Sequence, residues 1–506
     1  MGFAQVLSRA QVGMSAPLVR VEVHLGSGLP SYSIVGLPAP VVRESKERVR
    51  AALAHCDFEF PAGRITVNLA PADLPKEGGR FDLPIALGIL VASGQVQPPC
   101  DLAKSEFYGE LGLTGDLKPV PGLLLAALHA AQLHHELFVP MRNVQEAAGS
   151  AARVRGLRNL REFRHAAAAD EGGAANDDEL GGRVCEAEAR PLDLADVRGQ
   201  WQARRALVIA AAGGHSLLML GPPGSGKTML AQRLPGLLPA LTASEALEVA
   251  AIAAVAHLET GEGHRAQRPF RAPHHTASAH AIVGGGMTVR PGEVSLAHHG
   301  VLFLDELPEF DRRVLEALRE PLESGVISVV RANQRAEFPA AFQLVAAMNP
   351  CPCGNAGRVA PRCKCDPRQI DRYRSRISGP LLDRIDLQVV LPPVDAEALV
   401  EPAATAALRD SLTTAQAAVA VCAARATQFN RQGTSNHRLG PEETLHYCSA
   451  DREGMTLLRR AAQSRGYSAR SQHRILRVAR SIADLNDRGQ VSAAEVAEAL
   501  AMRWET

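Results

Sequence analysis

Four short runs carry side chains whose types and spacing suit phosphate chemistry. "HSLLMLGPPGSGKTML" sets an apolar run before a G-x-x-x-x-G-K-[ST] loop and the opening of a helix. In such a loop Gly221, Pro222, Pro223, Gly224, Ser225 and Gly226 turn backbone N–H groups toward phosphate oxygens. Lys227 can reach the β- and γ-phosphates, and the Thr228 hydroxyl can ligate Mg²⁺. "GVLFLDELPEF" buries Val301 to Leu304 as a strand and delivers Asp305 and Glu306 at its end. Asp305 suits Mg²⁺ through water, and Glu306 suits orienting or deprotonating the attacking water. Alone, two acids after an apolar strand are a solvated strand end; paired with the lysine loop they read as chemistry. "QLVAAMNP" ends a third strand on Asn349, which either positions the lytic water or caps a turn. "ISGPLLDRIDLQVVLP" sets Arg384 between a helix end and a strand. A guanidinium there could stabilise charge on a γ-phosphate in a neighbouring subunit, or pair with Asp383 or Asp386. No Asn-Lys-x-Asp guanine signature is present, so ATP is the expected nucleotide.

"CPCGNAGRVAPRCKC" follows Asn349 directly and holds Cys351, Cys353, Cys363 and Cys365. Four thiolates in a compact loop match tetrahedral Zn²⁺ in a closed, structural site. Cys-x-Cys is tighter than the commoner Cys-x₂-Cys knuckle, and reduced thiols or a redox switch are the competing readings. The chain has nine cysteines in 506 residues and no signal-peptide pattern, which points to a reducing, cytoplasmic setting rather than a disulfide scaffold.

These residues need elements to position them. At this length the chain should split into two or three domains, and 46% hydrophobic residues supply ordinary cores. The formal charge of +1 excludes a strongly basic nucleic-acid binder by bulk charge, though not a local basic channel. No apolar run is long enough to span a bilayer, so no membrane partner is expected. The fold class expected is α/β in three parts: a front α/β domain over 1–165, a P-loop parallel-sheet domain over 191–395, and a helical lid over 396–506. The small, acidic, glycine-rich stretch within 166–190 reads as a linker. In the front part "RVEVHLGSGLPSYSIVG" and "RITVNLAP" read as strands. "VVRESKERVRAALAHC" reads as an amphipathic helix and "FDLPIALGILVASG" as a buried one.

Together "GPPGSGKT", "FLDE", "AAMNP" and "GPLLDRIDL" resemble the AAA+ ATPases, and more narrowly their magnesium-chelatase and MCM-helicase branch. The resemblance places Val197 to Gln200 near adenine and, through "YSARSQHRILRVARSIADL", gives Arg470 the sensor-2 role. Over almost the whole chain the sequence resembles the bacterial ComM (YifB) family of magnesium-chelatase-like proteins. Its front segment, with "PADLPKEGGRFDLP" and "GELGLTGDLKPVPGLLLAA", is similar to the proteolytic domain of Lon. Arg80 and Leu124 stand where Lon has its serine and lysine, so Ser-Lys peptide hydrolysis is not expected. The family resemblance implies a hexameric, ATP- and Mg²⁺-dependent DNA motor that promotes branch migration during natural transformation. The alternative is a chelatase-like ATPase that remodels a metal-insertion partner.

Motors of this branch carry two pore hairpins. "SGVISVVRANQRAEFPAAFQLV" fits one, with Arg331 and Arg335 near the tip, and "AIVGGGMTVRPGEV" fits the other, with Arg290 beyond the glycines. Such arginines could contact branched or single-stranded DNA through phosphates without reading sequence, or be ordinary surface arginines. Eight Arg or Lys against three Asp between Arg358 and Arg384 line either a DNA path, a subunit boundary or a solvated face. His274–His275 and His298–His299 invite a metal reading. Adjacent side chains of a strand face opposite ways, so packing, loop hydrogen bonds or DNA contact is expected of them instead.

Overall fold

The computed structural model describes residues 2–98, 100–147, 149–165, 192–256, 258, 267–286, 289–331, 334–357, 362–393 and 412–504. The linker stretch, 166–190, falls outside them, as does 394–411 at the expected start of the lid. The chain divides into two compact units, Met1–Cys185 with Ala246–Arg265, and Glu186–Glu245 with Ala266–Thr506.

In the first unit the chain forms strands β1 (Gly2–Arg9), β2 (Leu18–Gly26), β3 (Ser31–Val35), β4 (Arg64–Ala70), β5 (Ser105–Phe107), β6 (Glu110–Leu111), β7 (Leu117–Lys118), β8 (Glu136–Pro140) and β9 (Arg153–Leu157). Seven of them make one sheet in the order β3-β4-β2-β1-β5-β8-β9, while β6 and β7 form a separate hairpin. Alternation decides which face is buried: Val19, Val21 and Val23 of β2 and Ile65, Val67 and Leu69 of β4 all point inward. The helix Pro40–His55 buries Val42, Val49, Ala52 and Leu53 at helical spacing. The helix Asp82–Ala92 is buried from Asp82 through Leu90 and so shows no polar stripe. It lies so close to the sheet that a Cβ on Gly88 would stand 2.5 Å from Val23 Cγ2.

The second unit holds β10 (Leu217–Leu220), β11 (Phe270–Arg271), β12 (Gly284–Gly285), β13 (Arg290–Pro291), β14 (Val301–Leu304), β15 (Val326–Arg331), β16 (Gln334–Pro339), β17 (Gln343–Met348) and β18 (Leu387–Val390). Its central sheet runs β11-β14-β17-β10-β18, with every pairing parallel. Strands β10, β14 and β17 are buried along their whole length, as expected of a parallel sheet covered on both faces. The chain leaves β10, fills one side with β11, β14 and β17, then crosses to β18 on the other. The C-terminal end of β10 is therefore the point where strand order reverses, the place such sheets bind ligands.

Helices Thr414–Gln432, Pro441–Tyr447, Arg452–Arg465, Ala469–Leu485 and Ala493–Ala501 close the unit. Ser468, Ser492, Asp451 and Thr413 cap four of them with side-chain oxygens. Ile475, Leu476, Val478, Ala479 and Ile482 share one apolar core with Ala206, Leu207 and Ala210 of the helix Trp201–Gly213 and with the sheet. The mixed α/β architecture, its parallel core and its helical C-terminus are those expected from the sequence. Among the described residues, no helix is long and apolar enough to cross a membrane.

Candidate active site

Parallel pairing brings three sequence-distant groups to one end of the sheet. Leu220 of β10 pairs with Met348 of β17, and Leu304 of β14 pairs with Ala346. The residues that follow, Gly221, Asn349 and Asp305, therefore emerge side by side. Gly224 and Gly226 adopt φ of 79° and 90°, which side-chain-bearing residues rarely do, and this bends the loop into a cradle. Lys227 opens the helix Lys227–Ala231, and its Nζ donates to Gly221 O at 2.6 Å, Pro222 O at 3.0 Å and Asn349 Oδ1 at 3.2 Å. Burial pulls the Lys227 ammonium below its ordinary range, with the charges of Asp305 and Glu306 opposing that fall. A phosphate in the cradle would oppose it further. Thr228 Oγ1 donates to Asp305 Oδ2 at 3.0 Å, so the hydroxyl and carboxylate that suit Mg²⁺ already face each other.

Glu306 stands in the left-handed region, φ 53°, with the Asp305 carboxylate accepting from its backbone N–H at 2.9 Å. Its side chain is half exposed, free to meet water, and Oε2 lies 3.3 Å from His275 Nδ1. No local pattern in the chain points to this contact. His274 and His275 occupy a turn rather than a strand, so their rings lie together with centroids 4.2 Å apart. The same correction applies to His298 and His299, whose ring centroids are 3.9 Å apart with φ 55° at His299. Turn geometry, not strand alternation, sets these side chains.

Gln200 also turns through the left-handed region, at φ 54°, and donates Nε2–H to Pro392 O at 2.8 Å. Among the described residues its Oε1 is buried without a partner. Leu391, one residue before Pro392, donates its N–H to Leu220 O at 2.7 Å, which sets this orphan acceptor beside the phosphate loop. An acceptor awaiting a donor fits the amino group of adenine. Ser225 Oγ, in the loop itself, is another buried orphan.

Cys351, Cys353, Cys363 and Cys365 place all four Sγ atoms within 4.8 Å of one another. Sγ of Cys351, Cys353 and Cys363 form a triangle of 3.4, 3.6 and 3.5 Å. A Zn–S bond of about 2.3 Å sets tetrahedral edges of about 3.8 Å, whereas a disulfide would draw sulfurs to about 2.0 Å. The donor set therefore fits a closed zinc site. Backbone N–H groups of Ala356 and Cys365 donate to Cys351 Sγ and Cys363 Sγ at 3.3 and 3.4 Å. The loop also presses on the phosphate cradle: a Cβ on Gly354, φ 76°, would stand 2.6 Å from Pro223 Cδ.

Arg384 lies at the other end of the sheet. It precedes β18, whose Leu387 pairs with Leu217 at the start of β10. The phosphate loop follows Leu220 at the end of β10, about 10 Å along the strands. Arg384 Nη2 is 2.6 Å from Glu323 Oε1, so its carboxylate partner is neither of the aspartates beside it in sequence. Arg470 Nη1 reaches the same Glu323 oxygen at 3.4 Å. Asp386 instead takes His215 Nδ1 at 3.1 Å and Arg474 Nη1 at 2.9 Å. Burial alone would raise the Asp386 carboxyl, but the His215 bond and the Arg474 charge win and hold it well below the usual carboxylate range.

Arg331 stands opposite Gln334 and Arg335 opposite Val330, at the end of the β15–β16 hairpin away from its Val326–Pro339 base. Arg290 is exposed on β13, paired with Gly285 of β12. Within the basic run, Arg374 stacks over Trp504 at 4.8 Å and Arg376 pairs with Glu309 at 2.7 Å. In the first unit, Arg80 is buried and donates to Pro121 O at 2.7 Å. Leu124 is also buried, its N–H donated to Glu146 Oε1 at 3.3 Å.

Three family models match the chain: subunit ChlI of Mg-chelatase over 21–143, magnesium chelatase subunit ChlI over 193–399, and its C-terminal part over 411–503. The competence protein ComM of Haemophilus influenzae is 46% identical over 99% of this chain and 98% of its own length. The chain belongs to the ComM/YifB family. YifB of Escherichia coli is 44% identical over 99% of this chain and 97% of its own. The 38 kDa magnesium-chelatase subunit of Cereibacter sphaeroides is 26% identical over 42% of this chain and 62% of its own. ComM/YifB members are thus magnesium-chelatase-like AAA+ proteins.

Proposed function

We propose that this chain is an ATP-dependent DNA motor that drives branch migration in homologous recombination during natural transformation. What carries the reading is full-length likeness to a competence protein. In the proposed cycle Gly221 to Gly226 and Lys227 cradle the ATP phosphates, Gln200 accepts from adenine, and Thr228 and Asp305 hold Mg²⁺. Asn349 and Glu306 place and deprotonate the attacking water. Arg384, remote from the Lys227 loop of its own chain, serves the γ-phosphate held by a neighbour, which requires a ring, taken as a hexamer, and Arg470 keeps the sensor-2 role. Arg331, Arg335 and Arg290 contact DNA phosphates, Zn²⁺ in the four-cysteine loop is structural, and the front domain over 1–165 is a scaffold or an oligomerisation and DNA-binding module rather than a protease.

The test is ATP-dependent processing of a labelled four-way junction beside a simple fork. Movement of the junction, with ATPase stimulated by DNA, is the expected result. The three chelatase family models favour a second reading, an ATPase that remodels a metal-insertion partner. An inert junction and hydrolysis indifferent to DNA would select it.

A further inference from the structure

Among the described residues Glu323 is the one carboxylate that both Arg384 and Arg470 touch, and it sits at a mechanical crossing. It lies in the helix Arg319–Ser324, and Gly325 alone separates that helix from β15 of the arginine hairpin. The base of that hairpin is closed by Ala340 N–H to Gly325 O at 2.8 Å. β17 then begins at Gln343, so the hairpin base and Glu323 share the end of the sheet where Arg384 stands.

The two arginines are held differently. Arg384 is only 8% exposed at its side chain; Nη2 is on Glu323, Nη1 donates to Pro380 O at 2.8 Å, and Nε is buried with no partner among the described residues. Arg470 is 56% exposed and touches Glu323 more loosely. An arginine so enclosed cannot meet a neighbour's phosphate until it leaves its carboxylate. Glu323 itself is 44% exposed, and burial, which would raise its pKa, is outweighed by the Arg384 hydrogen bond and charge and then by Arg470. It remains ionised and attractive to both guanidinium groups.

We infer that Glu323 is a latch: it withholds Arg384 from the neighbouring subunit's ATP until DNA on the β15–β16 hairpin draws the Arg319–Ser324 helix away. This rests on the trans role of Arg384 proposed above. Carboxylate and γ-phosphate compete for one guanidinium, so only the change of partner completes the neighbour's site. DNA contact and hydrolysis are thereby coupled through a single ion pair, with Glu323 acting through Arg384 rather than on the nucleotide.

The test compares Glu323→Gln and Glu323→Asp with the unaltered full chain, measuring ATP affinity and steady-state hydrolysis with and without duplex DNA. Glu323→Gln is expected to raise hydrolysis without DNA roughly three- to fivefold, the size expected for a half-exposed charge pair. Stimulation by DNA should shrink by the same factor while ATP affinity stays within about twofold. Glu323→Asp should restore most of the restraint. Unchanged or lower hydrolysis without DNA, with stimulation intact, overturns the latch. Arg384→Ala separates the two levels: if it leaves hydrolysis unaltered, the trans role fails and the latch with it. If it abolishes hydrolysis while Glu323→Gln changes nothing, only the latch fails.

Discussion

At the scale of single residues, Glu306 has the clearest expected consequence. Its carboxylate is half exposed beyond a fully buried strand, in a left-handed turn, with His275 Nδ1 3.3 Å away. Glu306→Gln keeps volume and hydrogen bonding but removes the base. Hydrolysis should fall on the order of a hundredfold or more while nucleotide affinity is retained, read by single-turnover hydrolysis beside equilibrium binding. That Lys227, Thr228, Asp305 and Glu306 come together was legible because loop, strand and acid occur in the order expected of a phosphate site. His275 and Glu323 were not legible. Each makes its contact across a long sequence gap, and a histidine in a turn or a glutamate in a helix carries no local pattern.

At the scale of elements, the four-cysteine loop is the informative case. It joins Asn349 to the helix Pro367–Arg374, where burial pushes the Tyr373 phenol up to about 12 despite a bond from the Asn349 backbone. Protein-bound zinc near one per chain is expected, falling to none in the Cys363→Ser, Cys365→Ser double variant, as elemental analysis would read. Gly354→Ala probes the neighbouring contact. A Cβ would press 2.6 Å from Pro223 at a backbone angle costing a non-glycine residue about 1–2 kcal/mol. ATP affinity should weaken severalfold while the bound zinc is kept, a split that titration and elemental analysis together would show. Cysteine spacing proposed a metal from the sequence; that the loop abuts the phosphate cradle follows from β17 and β10 lying side by side.

At the scale of the whole molecule, the proposed reading makes Lys227 and Arg384 partners across chains, since they stand at opposite ends of one sheet. Lys227→Ala and Arg384→Ala should each be inactive alone. Mixed in equal amounts they should recover about a quarter of wild-type hydrolysis, the share of random interfaces with both intact residues. The packing of the helical segment on the sheet sets an acid limit. Burial first, then the charges of His215 and Arg438, pull the His437 imidazole down to about 3, against Asp386 and its bond with Gly213. Its folded value lies below the unfolded ~6.5, so this stability is complete above that pH and is lost as pH falls toward about 3. Urea midpoints measured from pH 7 to pH 4 should decline, and His437→Gln should flatten the slope by up to about 1.4 kcal/mol per pH unit.

By itself the sequence determined the elements and the chemistry that rides on them. Apolar period, glycine loops and acids after strands are local properties, set by how a chain turns and what it buries. The tertiary structure alone decided which ends meet: parallel pairing brought Lys227, Asp305 and Asn349 to one end of the sheet and sent Arg384 to the other. It also gave Arg384 and Arg470 a common carboxylate in Glu323. Register and ion-pair partners depend on distances between segments far apart in the chain, and no short pattern encodes those distances.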